Sequence, residues 1–373
     1  MGEIETNFFE GKRPWSRLKD AVIKNYLPPY LKKVNRLNAN IILIDSFAGP
    51  GKFENGESGS PIYICELAET YVPNNYLAIL VNKNIQHHLK LSEHLSNYIN
   101  DKKAIPIRGK AEDLLVKLRE IISNQTVFLY LDPFGLKGTD FKMLEPFLSR
   151  SKSYSTELII NLSIPTILRL SCIKAFAEKG NTPEILSKHN SLTKVLGGDY
   201  WKKYLLNQEL KTDQRIIKLL AEYQAKLAMH LPEVGYCPVY ERMENVKMKY
   251  CIFFASRHPD AKLLMNDIMF NAYSKYIWER NYEDTFFGEL NWSDNLPDSY
   301  FNELEVSILQ STTNIKRSRE ELWKTIVDEN FMKSQHKHYN TRLKLLIKQG
   351  KLFFDDVKGT GKLNKDSLIY KKS

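Results

Sequence analysis

Two short segments of this 373-residue sequence hold the residues best suited to chemistry. Asp45-Ser46-Phe47-Ala48-Gly49-Pro50-Gly51 follows the apolar run Ile41–Ile44, and Asp132-Pro133-Phe134-Gly135 follows another, Thr126–Leu131. Gly49 and Gly51, directly after a strand pattern and beside an acid, let backbone approach a ligand closely. A mobile loop is the plainer alternative. The sequence has no GxxxxGK[ST], which excludes a P-loop, and Glu54 breaks GxGxxG. A cofactor without a pyrophosphate remains, and S-adenosylmethionine fits. Its sulfonium and amino-acid part need nearby carboxylates and carbonyls, and its adenosine needs an apolar cleft.

Asp132 with Pro133 and Phe134 suits methylation of an exocyclic amine. The acid and a rigidly held carbonyl accept the N–H hydrogens, which turns the nitrogen lone pair toward a methyl donor. The aromatic ring then stacks on the base. The alternative is a turn with a structural aspartate and a core phenylalanine. Asp45, Asp132 and Asp140 could also be read as magnesium ligands of a nucleotide hydrolase or nuclease, but they lack compact ligand spacing and no histidine is placed with them.

The elements that must position these residues alternate between apolar runs and helical patterns. A helix is expected from Trp15 to about Val34, broken or kinked at Pro28 and Pro29. Strands follow at IILID, YLAILVN, AIPIR, TVFLYL and TELIINLS. The helices between them include one opening at Ser60-Pro61, with Ser60 as its N-cap, and one with the acidic start Glu112-Asp113. Continuous apolar strands joined by helical crossovers predict a doubly wound, mostly parallel α/β sheet with its ligand beyond the strands' carboxyl ends. A helical insertion is expected over about 165–232. GYCPVYERM and MKYCIFFAS then return to one sheet edge as an antiparallel pair.

The turn-rich stretch Asn291–Glu303 suggests a boundary between a domain over 1–295 and a second over 300–373. In the latter, helices are followed by two strands around Gly359-Thr360-Gly361, the pattern of a winged helix. Residues 311–373 carry 15 Lys and Arg against 7 Asp and Glu, most of the chain's net charge of +10. A basic module on a near-neutral body suits nucleic-acid phosphates, with Arg342, Lys344, Lys348 and Lys358 as expected contacts. A solvated tail, or a winged helix used for protein packing, are the alternatives.

With 43% hydrophobic and 26% charged residues the chain is a folded globular protein. It has no uninterrupted twenty-residue apolar span and no signal core at MGEIETNFFEGKRPW, so neither membrane insertion nor secretion is expected and the cytoplasm is the default. Cys65, Cys172, Cys237 and Cys251 lack CxxC or Cys/His spacing, and are expected to be reduced, with no structural zinc.

The residues Asp45 to Gly51, Gly59-Ser60-Pro61, Leu131 to Gly135 and Ile160-Asn161, in this order, resemble the three-Cys-motif partner protein family (TcmP) over about the first 290 residues. The resemblance implies a Rossmann-like class I methyltransferase fold, S-adenosylmethionine as cofactor, and a partner carrying a three-cysteine motif similar to radical S-adenosylmethionine enzymes. It extends more loosely to adenine-N6 methyltransferases of ribosomal RNA, which have Asp-Pro-Pro-aromatic where this chain has Asp132-Pro133-Phe134-Gly135. By resemblance Asp45, Phe47, Gly49 and Gly51 hold the cofactor, and Glu112 or Asp113 meets the adenine amine. Asn82 replaces the acid that usually binds the ribose hydroxyls. Two functions follow as expectations: a methyltransferase acting on nucleic acid, and a noncatalytic nucleic-acid-binding partner that keeps the fold.

Overall fold

The computed structural model describes residues 12–240, 247–282 and 296–372. They fall into two compact units, Met1–Lys262 and Leu263–Ser373.

The first unit is built on a seven-stranded sheet of β1 (Ile41–Asp45), β2 (Tyr76–Asn82), β3 (Ala104–Arg108), β4 (Thr126–Leu131), β5 (Thr156–Ser163), β6 (Glu233–Tyr240) and β7 (Met248–Ser256). Their order is β3-β2-β1-β4-β5-β7-β6. Neighbours among β1 to β5 are parallel, and β7 runs antiparallel to both β5 and β6. The strand order reverses between β1 and β4, so a crevice opens beyond their carboxyl ends. This is the doubly wound, mostly parallel α/β sheet that the sequence predicts, with the expected antiparallel pair at one edge.

Burial follows the apolar runs. Every residue of β1, β4 and β5 is buried, whereas at the sheet edges β3 is half-buried or exposed after Ala104 and β6 alternates along most of its length. The first helices in chain order are α1 (Pro14–Val34), α2 (Ser60–Tyr71), α3 (Ile85–His94), α4 (Ser96–Asn100), α5 (Ala111–Ile121) and α6 (Phe141–Leu148). On one sheet face, Ile42, Ile44, Leu129 and Ile160 pack with Leu115 and Leu118 of α5 and Phe147 of α6. The opposite face is covered by α1, whose Tyr26 and Tyr30 stand 6.3 and 5.4 Å from the ring of Phe128.

Pro28 and Pro29 do not break α1, which is continuous over 21 residues. Each interior proline costs about 3 kcal/mol. Tyr26, Leu27, Tyr30 and Leu31 are buried around them, and full burial of large apolar side chains returns roughly 1.5–3 kcal/mol apiece. Packing therefore outweighs the lost helical bonds. Between β5 and β6 come α7 (Ile164–Ser171), α8 (Ile173–Lys179), α9 (Pro183–Leu196), α10 (Trp201–Leu205) and α11 (Thr212–Ala228), the helices of the expected insertion. The short α6, with Pro146 inside it, has no counterpart in the sequence reading. Cys65, Cys237 and Cys251 are buried free thiols, while Cys172 is a half-buried one.

The units divide within α12 (Pro259–Tyr282), upstream of the 295–300 read from the turn-rich stretch, part of which lies outside the described residues. Side-chain bonds explain the shift. Asn266 donates to the Ser334 carbonyl at 2.8 Å and accepts from the Met332 amide at 2.7 Å, and Asp267 accepts from the His336 amide at 3.1 Å. The later part of α12 thus belongs to the second unit. That unit continues through α13 (Asp298–Ser311), β8 (Arg317–Ser318), α14 (Arg319–Glu329), α15 (His336–Lys348), β9 (Phe353–Asp355) and β10 (Leu368–Tyr370), with sheet order β8-β10-β9. Ser318 and Glu321 form a capping box at the start of α14, a device that contributes about 1 kcal/mol. Ile308, Ile326, Val327, Leu343 and Leu346 form the core.

Candidate active site

Side chains alternate across a strand, and the register places Asp45, Asn82, Tyr130 and Asn161 on one face of the sheet, the face of Phe128 that α1 covers. Asp132 follows β4 with the same parity. The strand ends therefore gather acids and amides at the end of the sheet where a ligand is expected.

Asp45 is fully buried, and its oxygens accept from the Phe47 amide at 3.0 Å and the Ser60 hydroxyl at 2.7 Å. Burial pushes its carboxyl up to about 7, against the lowering pull of Ser60 and Phe47. Both oxygens face the protein, so Asp45 shapes the loop from within. Ser60 is consequently not the N-cap expected of it: α2 starts at Ser60 itself, after Gly59, and its hydroxyl belongs to Asp45.

The Gly49–Gly51 turn is held by bonds from outside it. His94 Nδ1 lies 2.8 Å from the Pro50 carbonyl, and the Gly59 amide donates to the Gly51 carbonyl at 2.6 Å. Gly51 takes φ of +89°, and a Cβ there would lie 3.0 Å from His94 Nδ1. The glycine is thus required twice, by conformation and by space. The following loop closes on itself, with the Phe53 amide donating to the Glu57 carbonyl at 2.9 Å and an isolated bridge between Lys52 and Ser58.

Asn82 differs from the sequence expectation. Its Nδ2 donates to the Ala48 carbonyl and its Oδ1 accepts from the Asn84 amide at 2.9 Å, with the side chain buried. An aspartate could not donate to Ala48. Here the end of β2 braces the first loop rather than presenting a hydrogen-bonding pair to a ribose. Of the two acids opening α5, Glu112 is half-buried and Asp113 is exposed. Glu112 sits beside the loop after β4: a Cβ on Gly138 would lie 2.8 Å from its Oε2 and 3.1 Å from Phe47 Cζ. Phe47 and Glu112 are therefore neighbours.

Like Asp20 of α1, Asp132 lines the cleft. One oxygen accepts from Asn161 Nδ2 at 2.8 Å; the other is ion-paired with Lys19 of α1 and lies 3.4 Å from the Tyr130 hydroxyl. Its side chain keeps 23% of its exposure. The cleft is lined by Lys19 and Tyr250, by Phe47 and Gly49–Phe53, and by Asp132–Gly135. Pro133 is buried, and Phe134 is 61% exposed, a flat apolar surface beside the acid. Among the described residues, no hydrogen-bond partner meets the buried Asn161 Oδ1. A purely structural amide at this depth is expected to have both ends satisfied. Among the described residues no three His, Cys, Asp or Glu side chains gather as metal ligands, so Asp45, Asp132 and Asp140 do not assemble as the magnesium alternative requires.

In the second unit the four expected basic contacts separate into two pairs. Arg342 is paired with Glu305 at 3.2 Å and lies over the Phe301 ring at 4.3 Å, and Lys358 is paired with Asp366 at 2.5 Å. Lys344 and Lys348 are exposed on α15, and Lys337 joins them one heptad before Lys344. The helical repeat puts the three on one face. Periodicity along HKHYNTRLKLLIK would have revealed Lys337 once helix bounds were known. No local signal marks Lys19, which pairs with Asp132, or Tyr250, which lines the same cleft; only the fold brings them there.

Neither a family model nor a curated protein matches the chain. Among solved structures, it is similar to an O-methyltransferase from Bacillus cereus in complex with SAH, at 13% identity over 68% of this chain and 96% of that one, with a TM-score of 0.32. It is also similar to the O-methyltransferase TomG from Streptomyces achromogenes in complex with SAM, at 10% identity over 68% and 95% of the two chains, with a TM-score of 0.31.

Proposed function

We propose that the chain is an S-adenosylmethionine-dependent methyltransferase acting on an exocyclic base amine of nucleic acid. The observation that carries this reading is the cleft shared by the Gly49–Gly51 turn, the Asp132 carboxylate and the exposed Phe134. The cofactor supplies an activated methyl group. Phe47, Gly49 and Gly51 hold it, with Glu112 beside them; Asp45 and Asn82 act on it through the loop they brace. The fit rests on Gly51, where φ of +89° and a Cβ only 3.0 Å from His94 Nδ1 both disfavour a side chain, and on the Phe47 and Glu112 pair facing Gly138. Asp132 accepts hydrogens of the entering amine and the proton it releases, Pro133 keeps that turn rigid, and Phe134 offers a stacking face. The second unit, read as a winged helix, supplies phosphate affinity through Lys337, Lys344 and Lys348. The TcmP resemblance adds a three-cysteine-motif partner protein, which copurification of the two proteins tests; the cytoplasm is the setting taken from the sequence by default.

Calorimetric titration with S-adenosylhomocysteine tests the cofactor half: no heat and no thermal shift at about millimolar ligand defeats it. Asp132→Ala should lower methyl transfer by roughly 10²–10³, the loss typical of one positioned polar group, while binding S-adenosylhomocysteine as before. Unchanged transfer removes Asp132 from the mechanism.

A second reading, a noncatalytic nucleic-acid-binding partner retaining the fold, is favoured by Asn82, which puts an amide rather than an acid at the end of β2 and turns it to the protein. Nucleic-acid binding without any cofactor binding selects it.

A further inference from the structure

Lys19 enters the cleft from α1, 113 residues from Asp132 in sequence. Its side chain is only 11% exposed, and its ammonium lies 5.5 Å from the Tyr250 ring centroid while pairing with Asp132. The acid already holds Asn161 and is approached by Tyr130, both anchored in strands. An amine entering the cleft needs a carboxylate oxygen, and among the described partners of Asp132 only Lys19 hangs on a long flexible stem. The ammonium stands where an amine donor would stand.

We propose that Lys19 is a displaceable plug on Asp132, a specificity-determining residue that reserves the acceptor site for amines carried on a phosphodiester chain. This inference rests on the reading of Asp132 as the group that receives the acceptor amine. Withdrawing an ammonium from a partly buried carboxylate requires another anion to receive it, and a phosphate beside the entering base provides one. A free nucleoside brings the amine without that anion, so Lys19 stays on Asp132 and competes with it. Neighbouring charges act in the same sense. Asp20, on the same helix turn, is paired with Lys12, so the adjacent acid already has a cation of its own.

The test uses the full chain and compares wild type with Lys19→Met, Lys19→Gln and Lys19→Arg. Mixed-sequence single-stranded RNA and DNA oligonucleotides and the corresponding free nucleosides are the probes, in both binding titration and labelled-methyl transfer. Lys19→Met and Lys19→Gln should bind nucleosides about tenfold more tightly and oligonucleotides about tenfold more weakly, each the scale of one partly buried charge pair. Lys19→Arg should keep the wild-type preference for the phosphate-bearing probe, and in transfer the change should fall on KM more than kcat. The two neutral variants guard against one that fails to fold. If both bind and methylate the two probe classes in the wild-type ratio, the plug is overturned while the proposed activity stands. If wild type transfers no methyl group to any oligonucleotide, the activity and the plug fall together.

Discussion

The Gly51 turn offers the sharpest measurement, because a second glycine in the same loop separates conformation from space. Gly51 and Gly56 have φ of +89° and +82°, but a Cβ on Gly51 would lie 3.0 Å from His94 Nδ1, whereas a Cβ on Gly56 has nothing within 4 Å. Alanine at either position carries the cost of a left-handed backbone, about 1–2 kcal/mol, and gains equally from a stiffer unfolded chain. These contributions cancel in the comparison. Gly51→Ala must in addition push His94 aside, and His94 holds the Pro50 carbonyl at 2.8 Å; one such bond is worth about 1 kcal/mol. The two variants should therefore differ by about 1 kcal/mol in urea unfolding, with Gly51→Ala the weaker. Cofactor binding should separate them further. In calorimetric titration with S-adenosylhomocysteine, Gly56→Ala should bind within about twofold of wild type and Gly51→Ala about tenfold more weakly, since the shift falls on the turn itself. Equal stability would show that His94 yields freely. Equal affinity at wild-type level would refute the assignment of this turn to the cofactor.

Two more outcomes follow from charges in the molecule. Burial holds the Asp45 carboxyl at about 7, above its ordinary 3.8, so between those values the folded protein keeps a proton that the unfolded chain releases. Stability from this group is complete at low pH and declines as pH rises toward 7, by at most about 1.4 kcal/mol per pH unit. Glu157, buried against Tyr26 and Ser256 and raised to about 7 by that burial, acts in the same direction. Urea midpoints followed by tryptophan fluorescence should fall over this range and fall less in Asp45→Asn; a slope identical in the two proteins rejects the assignment to Asp45. On α15, replacing Lys337, Lys344 and Lys348 together by Ala should flatten the dependence of log affinity for duplex DNA on log salt by about 2–3. Replacing Arg342, which is tied to Glu305, should flatten it by less than one such step. A triple variant with the wild-type slope would move the nucleic-acid surface elsewhere.

The sheet was legible because its signal is local. Runs such as IILID and TVFLYL are buried along their whole length, and a strand buried on both faces reads as a nearly continuous apolar run. The prolines of α1 misled for the opposite reason: helix propensity is a property of the segment, but Tyr26 and Tyr30 are held by Phe128, about a hundred residues away. The domain boundary likewise depended on Asn266 and Asp267 reaching residues 332–336, a contact that turn-residue counting cannot register. Lys344 and Lys348 could be identified as exposed helix residues, yet the ion pairs of Arg342 and Lys358 depend on Glu305 and Asp366 being brought beside them.

The site residues divide by the same distinction. Motif reading selects polar residues at strand ends, but a polar side chain there either meets a ligand or satisfies the backbone of the loop it starts, and sequence does not say which. Asp45 binds the Phe47 amide and Ser60, and Asn82 binds the Ala48 carbonyl and the Asn84 amide. Both have taken the second role. Buried groups of this kind must be satisfied, and the loop after β1, which departs from regular hydrogen bonding, places the demand beside them. Asp132 differs because all its described partners are side chains, one of them the ammonium of Lys19. A side-chain partner can leave without unfolding a turn. In the proposed reaction, chemistry at this cleft is therefore concentrated on Asp132, and which acceptors reach it depends on how readily Lys19 gives way.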